Sequence, residues 1–153
     1  MKLSVIVSFV IALAIPLAAG FAGSLVTLPS IPGWYAALEK PWFSPPAALF
    51  GPVWTTLYVL MGISLFLVWR KRFTRGLILF AMQLVLNFLW TLIFFGAHSI
   101  TGAFAEIIVL FVVISAYSIS VWKVSRAASI LFFPYIAWVA FASVLTGAVM
   151  YLN

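Results

Sequence analysis

Residues 34–69 read WYAALEKPWFSPPAALFGPVWTTLYVLMGISLFLVW. The first part gathers Trp34, Trp42, Pro41, Pro45 and Pro46 around the pair Glu39–Lys40, and from Pro46 to Trp69 no charged side chain follows. A run of that length is enough to cross a hydrocarbon core roughly 30 Å thick as a helix, which takes about 20 residues. The proline-rich part breaks helix and carries too much aromatic surface for a solvated linker. The stretch therefore reads as an ordered cap over a membrane cavity, continuing into a helix that lines it.

Working outward, four more apolar runs appear, so that the spans are 3–26, 46–69, 76–95, 103–122 and 127–152. No succession of alternating segments of about 10 residues, as a transmembrane β-barrel requires, is present. The expected fold is an all-α membrane protein, a five-transmembrane-helix bundle in one domain over residues 1–153, with a lid loop over 27–45. A loop of that length in a compact domain points to function. No internal repeat supports the inverted architecture of many transporters.

Composition agrees. The 153 residues are 67% hydrophobic and 7% charged, against about 25% charged in soluble domains, and mean hydropathy is +1.29. The net charge of +6 does not mark a nucleic-acid binder, because the bases lie between apolar runs, where they meet anionic lipid. With no cysteine and no aspartate, thiolate metal sites, disulfides and a Ser-His-Asp set are all excluded. The single histidine, His98, lies in a short loop without companion ligands, so no metal site is expected. The first run has two readings. Lys2 and Ala18-Ala19-Gly20 resemble a signal peptide, but the apolar stretch exceeds the usual 7–15 residues, which favours a retained span.

Five spans place Lys2, Arg70, Lys71, Arg72, Arg75, Lys123 and Arg126 on one side and Lys40 on the other. Positive charge stays inside, so the N-terminus is expected in the cytoplasm and the C-terminus and lid outside. The Arg70–Arg75 cluster serves topology and anionic lipid, or binds a partner. That bias, with no extension before the first span, points to a prokaryotic plasma membrane.

Polar side chains at membrane depth face a neighbouring helix or a cavity. Gln83, Asn87 and Trp90 share one face of the third span, Trp54, Tyr58, Met61 and Leu65 one of the second, and Tyr135, Trp138, Ala142 and Leu145 one of the fifth. Interhelical packing and hydrogen bonding is one reading. A pocket where three faces converge, with room left by Gly62 and Ala142, is the other. Ala19-Gly20 and Gly23-Ser24 give small-xxx-small spacing, which suits either an intramolecular contact or a dimer. Glu106 reads as a carboxylate favoured near a helix N-terminus.

On these residues the chain resembles the TspO/MBR family. The motifs are Trp34-Tyr35, Leu38-x-Lys40-Pro41-x-Phe43-x-Pro45-Pro46, Pro52-x-Trp54-Thr55-x-Leu57-Tyr58-x-x-Met61-Gly62, Gln83 with Leu86-Asn87-x-x-Trp90 and Phe94-Phe95-Gly96, and Pro134-Tyr135-x-x-Trp138-x-x-Phe141-Ala142. The resemblance implies a homodimeric five-helix bundle that binds porphyrins such as protoporphyrin IX, together with isoquinoline and benzodiazepine ligands. Tyr35, Pro45, Trp54, Asn87, Trp90, Trp138 and Ala142 would form the pocket, and porphyrin would be a ligand rather than a required cofactor. Two alternatives come with it: light- and oxygen-dependent porphyrin degradation through Trp54 and Trp138, and a stress-linked membrane regulator. The chain departs from the family's proposed cholesterol motif, because no base follows Tyr151 in Val149-Met150-Tyr151-Leu152-Asn153, and Thr146 stands where several relatives have asparagine.

Overall fold

The computed structural model describes residues 4–153, so the topology expectation for Lys2 lies outside the described residues. Long helices account for nearly all of the chain. They are α1 (Val5–Ser30), α2 (Phe50–Arg70), α3 (Thr74–Thr91), α4 (Ile100–Trp122), the short α5 (Arg126–Ile130) and α6 (Phe133–Leu152). Among the described residues, five helical runs are long and apolar enough to span a membrane.

Serines start three of these helices. The side chains of Ser4, Ser99 and Ser125 each accept the backbone N–H three residues on, at 3.2, 3.2 and 3.3 Å, satisfying donors that a helix end leaves free. The first span is longer than 3–26, because α1 passes through Pro29 and continues into a wider turn, Ile31–Tyr35. Each proline lacks an N–H and disfavours regular helix, and the wider turn accommodates Pro32 without ending the helical run. The lid proper is accordingly shorter than 27–45, with a single turn of tighter helix (Ala47–Leu49) leading into α2. The last span is interrupted before α6, where Pro134 sits in the first turn and cannot donate back into the preceding turn.

Contacts run α1 to α2, α2 to α5, α5 to α4, α6 to α4, α4 to α3 and α3 back to α1, closing a ring. Close approach of α1 and α2 depends on Gly62, where an added Cβ would lie 2.8 Å from the Leu13 Cα and 2.9 Å from the Ala12 carbonyl oxygen. The small residues of α1 also face inward. Gly20 backs onto the Tyr58 ring and Gly23 onto Thr91 of α3, so both make intramolecular contacts. The core between the helices is filled by Met61, Leu110, Ile114, Tyr117, Phe132, Tyr135 and Val139. Outward-facing side chains such as Val10, Phe21, Val85, Val112 and Val144 are exposed, as a lipid-facing surface requires. Arg70, Lys71, Arg72, Arg75, Lys123 and Arg126 cluster at the end of the bundle opposite the lid.

Candidate functional site: a polar-aromatic interior beneath the lid

The helical spacing of Trp54 and Tyr58, of Gln83, Asn87 and Trp90, and of Tyr135 and Leu145 turns each set toward the bundle axis. Gln83, Tyr135 and Met61 are fully buried and Asn87 nearly so. Asn87 is the hub. The Tyr58 hydroxyl donates to its Oδ1 at 2.6 Å, and its Nδ2 donates to the Tyr135 hydroxyl at 3.0 Å. One amide thus joins α2, α3 and α6. The interhelical reading holds for Asn87 in this structure, and its Oδ1 and Nδ2 each keep capacity for one further hydrogen bond.

Trp54 lies half-buried against this network, 5.6 Å from the Tyr58 ring and 6.1 Å from that of Tyr135. Gly20 leaves the space that Tyr58 occupies. Trp90 belongs to the layer above. Its ring stacks on Phe94 at 4.9 Å and 8°, and Phe94 meets Tyr35 at 6.3 Å. Tyr35 is buried at the end of the first span, and Lys40 Nζ sits 4.8 Å from its ring centre while donating to the Leu38 carbonyl at 2.9 Å. Pro45 lines a recess of about 440 Å³ in the lid with Tyr35, Lys40, Pro41 and Ser44. Trp138 and Ala142 are half-buried on α6. The Trp138 ring meets Phe50 at 6.0 Å and Phe141 at 5.7 Å.

The seven residues named from sequence thus form three adjoining groups rather than one continuous wall. Trp54 and Asn87 share the tyrosine network, Tyr35 and Trp90 share the Phe94 layer with Pro45 above, and Trp138 lies toward the gap between α2 and α6, with Ala142 one turn further along α6. That gap is an apolar groove of about 520 Å³, lined by Pro52, Val53, Leu57, Leu60, Pro134 and Trp138 among others. It falls within the roughly 300–1,000 Å³ usual for small-molecule sites.

Several contributors were not singled out from sequence as site residues. Tyr58 and Tyr135 were legible as members of aromatic faces, but their hydroxyls engage Asn87 only through tertiary register. The lid is held by Asn153, whose Oδ1 accepts the Glu39 N–H at 3.0 Å while its Nδ2 donates to the Glu39 carbonyl at 2.9 Å. His98, in left-handed backbone (φ 53°), stacks on Trp34 at 4.3 Å and 11°. No metal-ligand cluster occurs among the described residues. The expected role of Glu106 at a helix N-terminus is not what the fold gives it. Ser99 caps α4, no acid lies in its first turn, and Glu106 sits deeper, buried at 8% exposure with no hydrogen-bond partner for either oxygen among the described residues.

The TspO/MBR family profile matches residues 12–152. A tryptophan-rich protein TspO of Archaeoglobus fulgidus is 44% identical over 140 residues, covering 90% of this chain and 91% of the relative. The translocator protein of Homo sapiens is 38% identical, covering 76% and 72% respectively. A tryptophan-rich sensory protein of Cereibacter sphaeroides is 35% identical over 78% of this chain and 77% of its own length.

Proposed function

This chain belongs to the TspO/MBR family and is an integral multi-pass membrane protein, and from that premise we propose that it is a membrane receptor or carrier for flat tetrapyrroles such as protoporphyrin IX. The observation that carries the reading is the placement of Trp54 against the Tyr58–Asn87–Tyr135 network beneath the aromatic lid. Indole and phenol faces suit a flat aromatic ligand, and a single amide in an apolar interior supplies orientation. Trp138, on the groove between α2 and α6, supplies a second face. The names of relatives, a translocator and a sensory protein, suit a carrier or a sensor equally. Drug-like isoquinoline and benzodiazepine compounds would share the site.

The bases at the end opposite the lid support an outward-facing lid; a homodimer in a prokaryotic plasma membrane belongs to the same reading through the family resemblance. Quenching of tryptophan fluorescence by protoporphyrin IX tests the pocket. The Trp54→Ala, Trp138→Ala double variant is expected to lose about ten-fold in affinity, equivalent to about 1.4 kcal/mol of lost ring contact. Unchanged affinity removes both residues from the site.

A photo-oxidative reading has one observation in its favour: Trp54 is in ring contact with two further oxidisable side chains, Tyr58 and Tyr135. Illumination of the purified protein with protoporphyrin IX and oxygen decides it. Decay of the porphyrin spectrum no faster than with an inert membrane protein of equal tryptophan content eliminates degradation.

A further inference from the structure

Glu106 is the one acidic side chain of the spans; the other acid, Glu39, lies in the lid. Its surroundings follow from helix register. The Phe80–Tyr117 ring pair (5.9 Å) and the packing of Phe94 with Ala103 fix α3 antiparallel to α4, which sets Trp90 level with Ile107, the residue after Glu106. The Tyr117–Phe132 ring pair (4.2 Å) and the approach of Gly147 to the Phe104 ring do the same for α6. Glu106 is therefore level with residues 143–145, next to Ala142.

Nothing on these helices satisfies it. The Ser143 hydroxyl donates to the Val139 carbonyl at 2.7 Å, and that of Thr146 to Ala142 at 2.8 Å. Lys40 is committed to the lid. The nearest base along α4, Lys123, is 17 residues on, roughly 25 Å at 1.5 Å per residue. The Trp90 indole N–H, at the same level on α3, also has no hydrogen-bond partner among the described residues. A buried carboxylate without a partner is unfavourable to the fold, and a packed apolar side chain would serve it better. At membrane depth such a group marks a ligand or ion pathway.

We propose that Glu106 is the acceptor through which the interior between α3, α4 and α6 selects ligands bearing an ammonium or N–H donor, while the Trp90 indole N–H meets an acceptor on the same ligand. A donor placed against Glu106 converts an unpaired buried carboxylate into a charge-assisted hydrogen bond. The proposal rests on the binding role assigned to this interior, but not on a tetrapyrrole being the ligand.

The test uses two flat fluorescent probes of nearly equal shape, 9-aminoacridine, a cation with N–H donors, and acridine, at a pH where acridine is uncharged. Both are titrated onto the protein in phosphatidylcholine nanodiscs, with empty discs subtracted. The wild type is expected to hold 9-aminoacridine at least ten-fold more tightly. Glu106→Gln should abolish that preference and leave acridine binding within about two-fold, since the shape of the cavity is kept. Absence of the preference in the wild type, or its persistence in the Gln variant, overturns the proposal. If the Gln variant no longer holds acridine, Glu106→Asp decides: preference kept supports the carboxylate, preference lost rejects it. Protoporphyrin IX quenching on the same discs separates the two readings. Porphyrin binding without amine selectivity overturns the role of Glu106 alone. Amine selectivity without porphyrin binding leaves Glu106 in place and removes the tetrapyrrole.

Discussion

The bundle contains two buried polar sets, one toward the basic end and one beneath the lid, and they differ in completeness. Toward the basic end, the Ser64 hydroxyl donates to the Ala128 carbonyl at 2.8 Å and pairs with the Tyr117 hydroxyl at 2.8 Å. Ser118 and Ser129 pair at 2.7 Å, with Ser129 also reaching the Ser118 carbonyl. These bonds tie α2, α4 and the short α5 where the chain turns, and no orphaned polar atom lies among them. Beneath the lid, Asn87 is held by two tyrosines, but among the described residues Trp90 Nε1 and both oxygens of Glu106 have no partner; Gln83 Oε1, also without one, lies midway between the two sets. A satisfied set in a low-dielectric interior holds helices in place; an unsatisfied one costs stability until something binds. The difference assigns structure to one half and recognition to the other.

The strongest way to break that division is Asn87→Ala. Both tyrosine hydroxyls then lose their shared partner in a dry interior, and α2, α3 and α6 lose their common tie. The expected cost is about 2–3 kcal/mol, read as a lower thermal midpoint in detergent, together with weaker porphyrin quenching. An unchanged midpoint would mean that Asn87 serves the ligand only.

Tyr117→Phe sharpens the comparison from the other side. It removes one hydroxyl from the basic-end set while Ser64 keeps its bond to Ala128. Stability should fall by about 0.6–1 kcal/mol, the usual size of an interhelical hydrogen bond in a membrane, with porphyrin affinity unchanged. If affinity falls in step with stability, the two halves are coupled and the division fails.

Much of this arrangement was legible in the sequence. Five apolar runs without alternation leave few folds available, and helical spacing was enough to put Trp54, Asn87 and Tyr135 on inward faces. What spacing cannot supply is the identity of the partner across the interface. The bonds from Asn87 to Tyr58 and Tyr135 depend on the levels at which three helices pack, and the Asn153–Glu39 pairing joins residues 114 apart in the chain. The apolar run reads as ending at Val26, too early, because a widened turn carries the helix past Pro29 and Pro32. Glu106 was misplaced for a simpler reason. Measured from its cap at Ser99, α4 carries Ala103, Glu106, Ile107, Leu110 and Ile114 along one inner stripe, so the carboxylate belongs to the buried face rather than to the helix end. That pattern is present in the sequence, and distance from the helix N-terminus alone does not reveal it.

The smallest effect concerns the lid itself. Asn153 holds Glu39 by both backbone groups, as one strand holds another, at the exposed mouth of the site. Water competes for such bonds, so Asn153→Ala should lower global stability by only about 0.5 kcal/mol. The consequence for binding is larger than for folding. Lys40 and Pro45 are close to Glu39 in the chain, and both line the recess over Tyr35; loosening that anchor frees the lid without disturbing the network around Asn87. Porphyrin should therefore dissociate faster from the variant, by several-fold, with a similar association rate, and the Glu39 amide should exchange its hydrogen more rapidly. Faster exchange with an unchanged dissociation rate would show that the lid covers the site without retaining its ligand, and recognition would then rest on the interior side chains alone.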